Sequence, residues 1–455
     1  MASEQLGLTE SVSMALGGMI GGGIYAVLGV VTGITGPATW VAFCLAGVVA
    51  ACAGYSYNAL NDVDDENQGG SVSFVQSFVG NSTLAGMAGW TLLFGYVGSM
   101  AMYAFAFGEF TVALGGVPDG VGAVPLRPVV SVLAVAGFVG LNLLGAQATG
   151  SAENVLVAAK VGVLVAFGVG GIVYVATGAS GATLSLGFSE LASCGPVVAA
   201  AVSFVAFQGW QLLFYDQESI ADPVETIRKA VYVSIPVAVL IYGMVAVVTI
   251  ALAPEALESN PHTALADAAG AITEPFGLGR AGALVISLSA LFSTGSAINA
   301  TLFSTGHFAK GMLSDDLLPD RIGDSEAEGI PTRTLLVLGG VTAAFAAIGS
   351  LGGITSFASV AFIVVFGSMS YLALRERDRD RINPVPPAVG LVGTAAFLPL
   401  LFWHLYTNQR HTFYVVVVVS VVAVAVELLY FEREALEEEI ESVEPEFVEE
   451  RSPFR

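Results

Sequence analysis

Long apolar runs of about 18 residues or more, parted by short polar or Pro/Gly-containing connections, dominate the chain. They predict membrane-spanning helices, since about 20 apolar residues cross a ~30 Å hydrocarbon core. The runs fall near residues 11–32, 38–60, 86–114, 128–147, 154–177 and 196–216, then near 230–253, 281–308, 334–350, 354–374, 388–406 and 412–431. An even number of spans places both chain ends on one side. With cytoplasmic termini, the inner loops hold Arg228, Lys229, Lys310, Arg321, Arg333, Arg375, Arg377, Arg379, Arg381, Arg433, Arg451 and Arg455, and the outer ones only Arg127, Arg280 and Arg410. That bias follows the positive-inside rule, and moving the register by one span would scatter it.

Two spans carry interruptions. The first reads Gly17-Gly18-Met19-Ile20-Gly21-Gly22-Gly23-Ile24-Tyr25. Glycine costs a helix interior about 1 kcal/mol relative to alanine, so unwinding is expected over Gly21 to Ile24. Unwound backbone at membrane depth must be buried in protein or line a wet cavity, and a polar ligand would satisfy it. Close helix packing is the alternative, because Gly17 with Gly21 and Gly18 with Gly22 fit the small-xxx-small pattern. The sixth span, Pro196 to Asp216, holds Gln208, Gly209 and Gln211 in its middle. A second break is expected over Phe204 to Gly209, against the alternative of one packing glycine and two interhelical amide bonds. Interrupted helices at corresponding positions of two five-span halves point to an inverted-repeat transporter with its substrate near the bilayer midplane.

The expected fold is thus all-α and polytopic, with twelve transmembrane helices in a 5+5 inverted repeat, discontinuous helices 1 and 6, and two additional C-terminal helices. Its divisions are a cytoplasmic tail at 1–10, a first repeat at 11–177, a second at 196–374, the last two spans at 388–431, and an acidic cytoplasmic tail at 432–455.

Composition agrees: 55% of residues are hydrophobic, only 12% charged, and mean hydropathy is +0.76, whereas soluble domains are roughly 25% charged. The net charge of −22 is partly the work of the tail, where 10 acidic residues lie between Glu432 and Glu450. Of the 16 basic residues only Lys160, Lys229 and Lys310 are lysines. A strongly acidic, lysine-poor surface suits high salt, where screening makes self-repulsion tolerable; a halophilic source and no nucleic-acid partner are expected. Cys44 and Cys52 lie on one predicted helix about 12 Å apart, too far for a disulfide. Residues 1–9 contain no lysine or arginine, so the first span lacks the charged start of a cleavable signal peptide. The acidic loop 62–70 does not have EF-hand spacing. The chain shows no P-loop, GxSxG or HExxH pattern, and His262, His307, His404 and His411 are scattered. Neither an enzyme, a cofactor nor a metal is expected.

Several motifs, taken together, resemble the amino acid-polyamine-organocation (APC) permease superfamily in its amino acid permease branch. Gly21-Gly22-Gly23-Ile24-Tyr25 is similar to the family's Gly-Ser-Gly-Ile-Phe signature, and Glu66 to Phe74 to the Gly-Gly stretch after span two. Phe204-Val-Ala-Phe-Gln-Gly-Trp-Gln211 resembles Phe-x-Ala-Phe-x-Gly-Phe-Glu, and Gln217 to Arg228 the acidic, proline and basic stretch that follows. Glu153, Asn154 and Lys160 fit span five of proton-coupled members. Ser293 to Ala300 and Met312 to Pro319 resemble span eight and its following loop. The match runs in order over about residues 6–380. Gly22 stands where the signature has serine, and Gln211 where it has glutamate.

The resemblance implies secondary active transport of an amino acid by alternating access in the cell membrane. The ligand's carboxylate and ammonium would be held by backbone at Ile20, Gly21, Gly22, Gly23 and Ile24 and at Ala206 and Gly209. Phe204, Phe207 and Trp210 would form an apolar lid, with Tyr96 beside it. The absence of charge from this pocket favours a neutral amino acid. Lys160, an ionisable group inside a span, would couple transport to protons with Ser293 and Thr294 as partners; snorkelling of its stem to the interface is the alternative. Sodium coupling, amino acid exchange and a non-transporting nutrient sensor remain as other readings. Beyond substrate and protons, the expected partner is membrane lipid.

Overall fold

The computed structural model describes residues 5–431 apart from 65–68, 115–119, 122–123, 145–149, 216, 320, 325, 328 and 380. The motif residues Glu66, Asn67 and Gln68, Asp216 and the acidic tail 432–455 therefore lie outside the described residues, as does the side chain of Glu153. The helices are α1 (Leu8–Thr35), α2 (Thr39–Val63), α3 (Ser71–Val79), α4 (Ser82–Ala113), α5 (Leu126–Leu143), α6 (Gly150–Ala176), α7 (Gly195–Val202) and α8 (Pro223–Leu252). They continue as α9 (Pro254–Ser259), α10 (Ala264–Thr273), α11 (Gly279–Ser314), α12 (Thr332–Ile348), α13 (Leu351–Arg375), α14 (Val385–Asn408) and α15 (Arg410–Phe431). Among the described residues the only strands are Gly120–Val121 and Val124–Pro125, which pair as a small hairpin between α4 and α5.

Among the described residues, eight helical runs are long and apolar enough to cross a membrane; the first, Leu8–Val63, holds both α1 and α2 across a 3₁₀ turn at Gly36–Ala38. α12 and α15 are apolar and supply the ninth and twelfth expected segments, and α7 with the 3₁₀ turns after it forms the sixth. The fold is an all-α polytopic membrane protein. Local chemistry sets the ends: Gly36 stops α1 at φ +54, where a β-carbon would be strained. The Asn81 side chain accepts the Leu84 N–H at the start of α4 (2.9 Å), an ordinary N-cap.

Burial sorts the helices. In α4 83% of the apolar window is enclosed and in α13 72%, against 17% in α5 and 28% in α14. The outer helices expose Leu133, Leu240 and Val392, the surface that lipid would cover. α1 runs through the centre and touches α4, α6, α7, α8 and α11.

The face where α1 begins (the near face) is tied together. Leu6 forms a parallel bridge with Ile220, its N–H reaching Ser219 O at 2.8 Å while its carbonyl receives the Ala221 N–H at 2.9 Å. Glu10 accepts from the Gly7 N–H and from Asn154 of α6. The Asn61 and Gln217 amides pair reciprocally at 3.2 and 2.8 Å. On the opposite, far face, α9 and α10 lie where only a loop was expected; their apolar stretches are too short to cross a membrane.

Candidate functional site

The glycine run of α1 is helical throughout. The expected unwinding over Gly21 to Ile24 is overturned, because α1 continues without interruption from Leu8 to Thr35. Four of its five glycines are used for close approach instead. A β-carbon on Gly18 would stand 2.7 Å from Gly209 Cα, one on Gly21 2.6 Å from Ala297 Cβ, one on Gly22 1.8 Å from the Tyr103 ring, and one on Gly23 2.5 Å from the Tyr242 hydroxyl. Packing of small residues across helices, the alternative reading of this run, offsets their low helix propensity.

The carbonyls of four successive α1 residues nevertheless meet side-chain donors from four other helices. Lys160 Nζ of α6 donates to Gly17 O (3.1 Å), the Tyr103 hydroxyl of α4 to Gly18 O (3.4 Å), the Tyr242 hydroxyl of α8 to Met19 O (2.6 Å) and Ser293 Oγ of α11 to Ile20 O (3.2 Å). A carbonyl has two lone pairs, so these are second partners to bonds the helix already makes.

The sixth segment does break. α7 ends at Val202, Phe204–Phe207 forms a 3₁₀ turn, Gln208 is extended and Gly209 has φ +128 before a second 3₁₀ turn at Trp210–Tyr215. The backbone groups this frees are satisfied by side chains, as burial demands. Ser359 of α13 donates to Val202 O (2.7 Å) and accepts the Val205 N–H (3.0 Å). The Tyr242 hydroxyl also lies 3.0 Å from Ala206 O, and Gln211 Oε1 accepts the Gly209 N–H at 2.6 Å. Gln211 Nε2 reaches Gln208 Oε1 (3.2 Å) and the Tyr96 hydroxyl (3.4 Å), while Gln208 Nε2 donates to the Tyr103 hydroxyl. Gln211 thus works at once as acceptor and donor; an ionised glutamate could only accept.

α1 and this break touch directly at Gly18 and Gly209 rather than across a cavity. Ile20, Ile24, Tyr96, Phe204, Ala206, Phe207 and Trp210 are all buried, but the three large aromatic residues of the break do not form one lid. Phe204 packs on Phe366 and Phe397, Phe207 on Tyr242, and Trp210 on Tyr57 and Phe366. Phe204 and Trp210 share Phe366 while Phe207 turns to Tyr242, with the extended Gln208 and Gly209 between the two 3₁₀ turns, so the three pack into the bundle instead of lying side by side. Lys160 is buried, and its ammonium reaches the α1 backbone at the carbonyl of Gly17. Ser293 joins the same row of carbonyls, whereas Thr294 bonds back to Ala290 O of its own helix (2.7 Å).

Tyr103 and Tyr242 were not legible as site residues, since a tyrosine in an apolar span reads as packing. The one available signal was the seven-residue interval from Tyr96 to Tyr103, which places both phenols on one helix face.

Depressions flank this layer on opposite faces. The far one, of about 710 Å³, is lined by Gly33 and Ile34 of α1, Val198, His262, Leu351 and His404; the near one, of about 550 Å³, by Met14, Leu212, Tyr215, His307 and Asp315. At the rim of the far depression, burial and the Arg127 charge lower the pKa of His262. Beside Asp315, burial and Asp316 raise that carboxyl. A third cavity, of about 180 Å³, lies between α6 and α11 and is lined by Lys160, Ser289, Ser293 and Ser296.

Comparison with known proteins agrees with this layout. The profile of the amino acid permease family matches residues 6–426. An uncharacterized protein of Methanocaldococcus jannaschii is 28% identical over 94% of this chain and 96% of its own. The inner membrane transport protein YbaT of Escherichia coli is 28% identical over 89% and 90%. The vacuolar cationic amino acid transporter 4 of Arabidopsis thaliana is 23% identical over 82% of this chain and 63% of its own. With its multi-pass helical bundle and a permease match along nearly its whole length, the chain belongs to the amino acid permease family and is a membrane transporter.

Proposed function

We propose that the chain is a secondary active transporter that moves a neutral amino acid by alternating access, coupled to protons through Lys160. The observation that carries this is the Lys160 ammonium on Gly17 O, at the head of the carbonyl row on α1. A charged donor on a carbonyl is roughly twice as strong as a neutral one, so protonation strengthens the tie between α6 and α1 and proton loss weakens it. α1 passes from one depression to the other through the buried layer, so its tilting would open one side and close the other. Support for a neutral cargo comes from the groups around Gly209, which are amides, phenols and backbone. A cationic cargo, as in the name of the Arabidopsis relative, would call for a carboxylate there.

By the charge bias of the loops, the near face is cytoplasmic and the protein resides in the cell membrane, with repeats at 11–177 and 196–374. The test is uptake of radiolabelled neutral amino acids into proteoliposomes against pH, with and without sodium. Loss of pH dependence in Lys160→Ala, with substrate binding kept, is expected. Sodium-driven uptake that is indifferent to this substitution would overturn the coupling, and binding without any uptake would turn the reading toward a sensor.

A further inference from the structure

One cavity takes no part in the buried layer. It has a volume of about 360 Å³ and is lined by the last turn of α12, the first two turns of α13 and the first half of α15. Phe345, Ile354, Val416 and Val419 form its walls. Its polar members, Ser350, His411 and Thr412, stand at the far-face ends of α13 and α15. An apolar cavity holds water poorly. Along α15 it reaches from His411 to Val419, about 12 Å of helix, and the hydrocarbon half of one leaflet is about 15 Å deep. The slot has the depth and the lining of a seat for one lipid chain.

Charge stands at its mouth. Arg410, next to His411, is exposed and holds its guanidinium 5.6 Å from the centre of the Tyr406 ring. Among the described residues no carboxylate pairs with it, although the chain carries 38 acidic residues. Arg127, of the same face, is by contrast shared between Glu109 and the Ala346 carbonyl. An arginine at a membrane surface attracts anionic lipid, and its fork of N–H groups suits a phosphate.

We propose that this slot is a binding site for one membrane lipid with an anionic head group, its hydrocarbon chain lying between α12, α13 and α15 and its phosphate at Arg410 and His411. The site is independent of the cargo and of its coupling. The lipid chain fills the gap beside α15, which packs on α4, α13 and α14, and so steadies the last span against the bundle.

The test is native mass spectrometry of the full chain, delipidated in detergent and titrated with dioleoyl phosphatidylglycerol, dioleoyl phosphatidylcholine or inorganic phosphate. The first phosphatidylglycerol is expected to bind at least about fivefold more tightly than phosphatidylcholine, the scale of one basic residue at an anionic surface. Arg410→Gln combined with His411→Gln should remove that preference; both positions are exposed, so the variant is expected to fold. Val419→Trp fills the slot from its deep end and should abolish the tight first binding step for either lipid. Should it fail to fold, Val415→Trp, at the half-exposed edge of the slot, supplies the same arm. Equal affinity for the two lipids in the unmodified protein, an unchanged preference in the Arg410 and His411 variant, or undiminished first binding in a folded tryptophan variant would each overturn the proposal. Inorganic phosphate binding as tightly as the lipid would show an ion site at the mouth with no seat for a chain, and would overturn it as well.

Discussion

The glycine run of α1 and the Gln208–Gly209 step of the sixth segment lie against one another, yet one stays helical and the other does not. In α1 the glycines spend their missing side chains on neighbours, and the donors that arrive from α4, α6, α8 and α11 add to helix bonds already made. In the sixth segment the helix bonds are replaced: Ser359, Tyr242 and Gln211 take over the freed backbone groups. Glycine makes a break cheap, but only partners in place make it favourable. The α1 run carries no side chain able to bond its own backbone, whereas the break has Gln211 two residues from the N–H it caps.

The contrast can be broken most severely at Gly209. Its φ of +128 is a backbone conformation open only to glycine, and Gly18 Cα stands 2.7 Å from any added β-carbon. Gly209→Val should cost about 3 kcal/mol or more from strain and overpacking together, read as loss of a cooperative melting transition in detergent. A normal melting curve would mean that the break is not held by this residue.

Gly22→Ser, which restores the residue of the family signature, is expected to cost about 1–3 kcal/mol by overpacking against the Tyr103 ring. Most of that should return in the double variant with Tyr103→Val, because two residues in contact do not behave additively. Additive melting shifts would show that the two do not share one space.

The mildest probe sharpens the comparison from the other side. Gly33 is also inside α1, but a β-carbon there meets nothing within 4 Å. Gly33→Ala should stabilise by about 0.5–1 kcal/mol through helix propensity alone. Destabilisation there would contradict the division between glycines used in packing and glycines that are not.

Much of the architecture is legible in the amino-acid sequence. The run expected at 196–216 lies over Gly195 to Tyr215, and that at 281–308 inside Gly279–Ser314, since an apolar stretch of membrane length has few alternatives to a spanning helix. α9 and α10 were missed because their polar interruptions hide short helices from a test of length. Among the site residues, Lys160 and Gly209 could be picked out from polarity or its absence and Ser293 from the resemblance, while Gly18 read only as a packing glycine. Phe204, Phe207 and Trp210 were grouped by proximity in the chain, but the turn of the backbone sends Phe207 to Tyr242 and leaves Phe204 and Trp210 on Phe366.

The sequence by itself determined the membrane-spanning class, the order of the spans, the polar interruption at Gln208 to Gln211 and the presence of one lysine inside the fifth span. These follow from hydropathy and charge, which act residue by residue along the chain. Only the tertiary structure decided that Gly17 to Ile24 stays helical, that Gln211 caps the Gly209 N–H, and that Lys160, Tyr103, Tyr242 and Ser293 converge on consecutive carbonyls of α1. Whether a backbone group keeps its helical partner or takes another depends on what stands beside it, and the donors on α1 come from helices 85 to 273 residues away in the chain.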